Sequence, residues 1–155
     1  MYVPLTATSH AVLAGRSLRV GAFSATTPGE KTRSCRLRGS IHTPDGTSFE
    51  AFIRAAFMDE LVAAGAVISD RAPITLVGTL DRIDLETVVP TGQWTFAVTL
   101  TSSNGRHLSL AEAYPYDIGS VGEDPCTRTA AAFLPSLQRF IGAFLGHPTF
   151  AELLN

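Results

Sequence analysis

The chain has 155 residues, 45% of them apolar and 17% charged, with a formal net charge of −2. That length fits one domain able to bury a core without metal or many staples, and the near-neutral charge argues against a binder of nucleic-acid backbones. No apolar run approaches the roughly 18 residues that a membrane-spanning helix needs.

Met1-Tyr2-Val3-Pro4 has neither the basic nor the apolar region of a signal peptide. Two expectations follow: a cytosolic protein, or a mature domain whose export signal lies upstream. Residues 1–16, low in charge and without periodicity, read as a flexible arm or tether, and 17–155 as a single domain. Ser17 to Ser24 alternates Leu18, Val20 and Ala22 against Arg19 and Gly21, a first strand. After a turn at Pro28-Gly29, Arg33 to His42 alternates strictly. Cys35, Leu37, Gly39 and Ile41 fall on one face and Ser34, Arg36, Arg38 and Ser40 on the other, predicting a half-buried strand with a basic outer side.

Thr43-Pro44-Asp45-Gly46 is turn chemistry, and Thr47 with Glu50 reads as a capping box opening a helix over about 47–64. Phe49, Phe52, Ile53, Ala56, Phe57, Leu61 and Ala64 supply its apolar stripe, and Gly65 suits the left-handed position past its end. Ile74, Leu76, Gly78 and Leu80 then alternate, after which the parity shifts to Ile83 and Leu85. Such a shift within one strand places a β-bulge near Asp81-Arg82. Glu86 to Gly92 reads as a loop containing Pro90, followed by the inward row Trp94, Phe96, Val98 and Leu100.

At Ser103-Asn104-Gly105 the register decides the turn. A two-residue loop would set Leu100 beside Ser109, whereas a three-residue loop with Gly105 left-handed pairs Ser102 with Arg106, Leu100 with Leu108, Val98 with Leu110 and Trp94 with Tyr114. The three-residue loop keeps the apolar rows together. Asp124-Pro125 opens a second helix with a buried stripe through Cys126, Ala130, Phe133, Leu137, Phe140 or Ile141, and Phe144, kinked or restarted at Pro135. Gly146-His147-Pro148 ends it, and Phe150, Leu153 and Leu154 read as a short turn folded onto the core. The expected fold is α+β, a single antiparallel sheet of four to five strands with two helices packed on one face.

Cys35 and Cys126 both fall on predicted apolar faces, so the pattern leaves a disulfide and two separate buried thiols equally open. The runs Cys35-Arg36-Leu37-Arg38-Gly39-Ser40-Ile41, Thr43-Pro44-Asp45-Gly46, Glu60 to Ala66, Gly92-Gln93-Trp94, Ser102 to Gly105, Cys126 with its Ala-rich helix, and Pro148-Thr149-Phe150 together resemble a family of uncharacterised proteobacterial envelope lipoproteins. More loosely, the order of elements is similar to small lipoproteins that assist lipid or lipopolysaccharide transport. The resemblance implies an acylated cysteine upstream, a periplasmic domain anchored at the outer membrane, and a Cys35–Cys126 bridge.

Thr27-Pro28-Gly29-Glu30-Lys31-Thr32 fails as a phosphate loop, because Glu30 stands between Gly and Lys. His10, His42, His107 and His147 lack metal-ligand spacing, so no metal and no cofactor are expected. Asp84 and Glu86 fall opposite Ile83 and Leu85, on the solvent side with Asp81 nearby, without the apolar cleft that acid–base work requires. Arg19, Arg33, Arg36 and Arg38, with Arg16, suggest a basic stripe on the uncovered sheet face, able to take an anionic lipid group or an acidic protein patch. The leading expectation is a non-catalytic docking domain with an envelope protein or lipid as partner. The alternatives are a carrier with an apolar cavity between sheet and helices, and a cytosolic α+β enzyme using His107 or Asp84.

Overall fold

The computed structural model describes residues 2, 4, 12–36, 39–88, 91–118 and 124–155. Its centre is a meander of three long strands, β6 (Ile74–Val88), β7 (Thr91–Ser102) and β8 (His107–Asp117). The expected inward row of β7 is fully buried, with Trp94, Phe96 and Val98 at 0% exposure. The β7–β8 register is the one derived from the three-residue loop: Leu100 faces Leu108, Val98 faces Leu110 and Trp94 faces Tyr114. Gly105 takes φ +89°, and Ser102 N donates to Arg106 O at 2.8 Å. The β6–β7 ladder shifts between Leu80 and Arg82, which is the bulge that the parity change demanded. The loop expected over Glu86 to Gly92 is shorter, because Thr87 already faces Gly92 and Val88 faces Thr91; Pro90 lies outside the described residues.

The rest of the sheet corrects the expected topology. Strands β1 (Ser17–Val20), β2 (Ser24–Ala25) and β5 (Val67–Ile68) join β6 in a mixed six-stranded sheet of order β5-β1-β6-β7-β8, with β2 also on β6. β1 runs parallel to both β5 and β6. A parallel neighbour needs a long crossover, and the segment between β1 and β6 supplies one, holding a hairpin and a helix. The basic strand expected over Arg33 to His42 is that hairpin: β3 (Thr32–Cys35) and β4 (Gly39–His42) pair antiparallel, with Cys35 opposite Gly39, as a separate two-stranded sheet.

Helix α1 (Phe49–Ala63) is capped one residue later than expected, by Ser48, whose hydroxyl accepts from Ala51 N at 3.2 Å. Thr47 is already committed in the preceding turn, where its amide and hydroxyl both donate to Asp45 Oδ1. Gly65, at φ +104°, closes the helix, with Ala66 N donating to Leu61 O and Gly65 N to Val62 O. Helix α2 (Pro125–Leu145) starts as expected on Asp124 and Pro125, and it passes Pro135 without a new start. Its stripe is corrected at one place: Ala130 is exposed and Thr129 is buried instead. Thr129 is a fully paired buried polar group, its carbonyl accepting from Trp94 Nε1 at 2.9 Å and its hydroxyl from Tyr116 at 2.6 Å.

Both helices lie on the side of the sheet that carries the β7 row. Phe133 of α2 sits 5.0 Å from Trp94 and 6.0 Å from Phe49 of α1, while Phe57 meets Phe144 at 5.3 Å. The expected terminal turn is a 3-10 helix, Phe150–Leu154, whose three apolar side chains are buried. The Cys35–Cys126 disulfide is formed, with Cα atoms 5.9 Å apart, tying the β3–β4 hairpin to the start of α2.

Candidate functional site

A sheet covered on one side leaves two kinds of surface: its other face and its edges. On the open face, β7 presents Gln93, Thr95, Ala97 and Thr99, flanked by Thr79 of β6 and by Ser109 and Ala111 of β8. Beyond the bulge, Arg82, Asp84 and Glu86 of β6 stand beside Ala97, Thr95 and Gln93 on this face, and before it several hydroxyls pair with one another. Thr99 donates to Asp81 Oδ2 at 2.7 Å and lies 2.7 Å from Ser109 Oγ, while Ser24 and Thr79 lie 3.2 Å apart. This hydroxyl row spans β2, β6, β7 and β8. Val77, 37% exposed, is a large apolar side chain on the open face, as is Val67 of β5, 55% exposed, at the margin of the sheet.

The four arginines singled out in the sequence do not share one row. Arg19 stands on β1 opposite Thr75, exposed on the open face between buried Leu18 and Val20. Arg33 and Arg36 belong to the hairpin, because the chain reverses after Cys35, and Arg38 lies outside the described residues. Arg33 is ion-paired with Glu30 at 2.9 Å and Asp84 at 3.5 Å and also donates to Ile83 O. Arg36, at φ +51°, donates to Thr87 O. Arg16 binds Leu154 O at 2.8 Å.

The contacts of Arg33 and Arg36 share a cause that no local pattern signals. Beyond Ala25, where β2 ends, no strand among the described residues lies beside the outer edge of β6. The bulge changes which carbonyls point outward there. Asp81 O takes Thr26 Oγ1 at 3.2 Å, Ile83 O takes Arg33 and Thr87 O takes Arg36. Guanidinium groups thus shield an edge that would otherwise recruit another strand.

A small surface slot of about 120 Å³ lies between that edge, the turn at Thr26–Thr27 and the start of α1, lined by Glu30, Arg33, Phe49 and Glu50. Glu50, buried at its floor, accepts from Gly29 N at 3.0 Å. Burial alone would raise its pKa, but the hydrogen bonds it accepts, that from Gly29 foremost, hold it below the ordinary value of 4.5. A depressed folded pKa stabilises the native state above 4.5, and this contribution disappears as the pH falls through the folded value. Acid titration of unfolding free energy should therefore show a decline below about pH 4.5 that is shallower in Glu50→Gln; identical profiles would remove this role.

Asp84 is paired with Arg82 as well as Arg33, and it sits toward the far end of β6 from His107. His42 is exposed on β4, and His147 Nδ1 accepts from Thr149 N at 3.1 Å. Among the described residues, no three His, Cys, Asp or Glu side chains gather as a metal site, and no helix is long and apolar enough to cross a membrane. A broad groove of about 580 Å³ runs beside the disulfide, between β4 and the first turn of α2, lined by His42, Asp124, Cys126 and Ala130.

The mixed sheet, the detached hairpin and the helix pair can be compared as one arrangement with solved structures. The fold is shared with a DUF330 protein. That protein, from Xanthomonas campestris and known from a crystal structure, is 15% identical, with a TM-score of 0.55 over 98% of this chain and 92% of its own. A second solved structure, of an uncharacterized protein, has 10% identity and a TM-score of 0.47 over 83% of this chain and 92% of its own. No family model and no curated protein matches the sequence.

Proposed function

We propose that this chain is a non-catalytic docking domain of the bacterial cell envelope, binding a partner protein through the open face of its sheet. The disulfide carries this reading. Such bonds persist in oxidising compartments and are rare in the bacterial cytosol, and this one joins positions 91 apart in a chain whose cysteines are both used. The lipoprotein resemblance adds the remainder: a periplasmic location and an outer-membrane anchor through an acylated cysteine upstream.

Two observations favour a protein over an anionic lipid as partner. Arg33 and Arg36 donate to the β6 edge, and the open face carries a row of paired hydroxyls. A polar sheet face of this kind matches another protein surface better than a headgroup, which calls for converging free cations. A carrier would need an apolar cavity under the sheet. Aromatic rings occupy that space, with Trp94, Phe96, Phe140 and Phe144 all at 0% exposure. For catalysis, His107 and Asp84 sit on separate strands toward opposite ends of the open layer, apart from one another.

The test is site-directed photo-crosslinking in intact cells. A photoreactive residue in place of Thr95 should give one discrete protein adduct, and the same residue in place of Val62, 55% exposed on the outer side of α1, should give none. Matching patterns at both positions would overturn the reading, as would co-sedimentation of the purified chain with phosphatidylglycerol vesicles.

A further inference from the structure

Among the described residues, the order of the sheet ends at β8, with no strand along its outer side. The phase of the ladder says which backbone groups face outward. Ser102 N donates to Arg106 O, and Leu100 faces Leu108, so even-numbered residues of β8 bond β7. His107, Ser109, Ala111 and Ala113 therefore point their N–H and C=O groups away from the sheet. Pro115 falls in the same phase, where its missing donor costs the ladder nothing.

This edge differs from that of β6. There, Thr26, Arg33 and Arg36 occupy the outward carbonyls. Along β8 the outward residues Ser109, Ala111 and Ala113 are exposed and too small to shield anything. Natural sheets avoid such an edge unless something pairs with it. The usable stretch is bounded by the turn at Ser103–Gly105 on one side and by Pro115 on the other, and it is centred on Leu110.

We propose that a second copy of this chain pairs along this edge, the two β8 strands running antiparallel with Leu110 on the two-fold axis. Ser109 then faces the partner's Ala111 and His107 the partner's Ala113, each pair exchanging two hydrogen bonds. Half-buried Leu110 meets its own equivalent and completes its burial. Exposed Glu112 lies diagonal to the partner's exposed Arg106, within reach for long side chains of opposite charge, and the axis repeats that pair. This self-complementarity favours a second copy over an unrelated strand. The resulting sheet is continuous, with both open faces on the same side, so docking through Thr95 does not compete with it.

Sedimentation velocity of the full chain should show a species of twice 16.5 kDa. Ala111→Pro removes an outward donor while leaving the bonds to β7, and should weaken association roughly 30-fold or more with an unchanged circular dichroism spectrum. Leu110→Cys should form an interchain disulfide, because facing residues of a non-bonded pair lie about 4.5 Å apart at Cα; Val62→Cys should not. A monomer at every concentration reached, a dimer that persists in Ala111→Pro, or equal crosslinking from Val62→Cys would each overturn the proposal. Photo-crosslinking from Thr95 should survive Ala111→Pro, so failure of the dimer and failure of the docking face are read separately.

Discussion

Replacing Cys35 and Cys126 together by alanine is expected to lower the free energy of unfolding by about 4 kcal/mol. The bond joins positions separated by 91 residues, so it removes much of the freedom of the unfolded chain. It also holds a part of the fold with few other ties. The β3–β4 hairpin is outside the main sheet, and it is tied to the body by Cys35 and Ile41 in the core, by the side chains of Arg33 and Arg36, by the packing of β4 against α2, and by this covalent link. Urea denaturation checks the figure directly. The natural chain in excess dithiothreitol should unfold with the midpoint of the double variant in plain buffer. A loss under about 1 kcal/mol would mean that packing alone fixes the hairpin against α2.

Phe133→Ala is expected to cost about 3–5 kcal/mol, the range for emptying a fully packed aromatic site. Phe133 is the point at which both helices and the sheet meet. Its ring lies 5.0 Å from Trp94, 5.8 Å from Phe52, and 6.0 Å from both Phe49 and Phe96. Its removal also loosens the turn of α2 that presents Thr129 to Trp94 and Tyr116. Phe133→Leu should recover much of the loss, since it restores apolar volume without the ring geometry. The chain's single tryptophan makes the measurement clean. Trp94 fluorescence reports equilibrium unfolding and shifts toward the exposed spectrum at lower urea in the alanine variant. A change below about 1 kcal/mol would place the structural centre elsewhere.

How far the sequence reveals this arrangement differs from element to element, for physical reasons. The β7–β8 register was legible because a one-residue slip would have turned Leu108 and Leu110 outward, and because Gly105 supplies the left-handed residue of the turn. The bulge was legible because parity changes from Leu80 to Ile83. The hairpin at Cys35 was not. A reversal through a three-residue loop keeps odd positions on one face, so Cys35 and Ile41 are buried together whether the chain runs straight or turns back. Strict alternation therefore could not separate one strand from two.

The parallel pairing of β1 was hidden for another reason. Its partners β5 and β6 come after the hairpin and α1, and only short stretches of each pair with it. The cap of α1 moved from Thr47 to Ser48 because Asp45 had already claimed Thr47. The arginine stripe depended on residues 33–42 forming one straight strand of the sheet, whereas Arg33 and Arg36 belong to the detached hairpin. Once the chain turns, their nearest acceptors become the carbonyls that β2 leaves open on β6 by ending at Ala25. The open face itself was implied by the alternation of Trp94, Phe96 and Val98 with Thr95, Ala97 and Thr99, but which side the helices would cover depended on the whole fold.

The claim that this domain works in an oxidising envelope compartment is tested most directly by the state of its two cysteines in the living cell. Cells are quenched in acid, free thiols are alkylated, disulfides are then reduced and labelled with a second reagent, and the intact chain is weighed. The account predicts that Cys35 and Cys126 carry only the second label. Both residues bearing the first label would contradict it and return the protein to the cytosol.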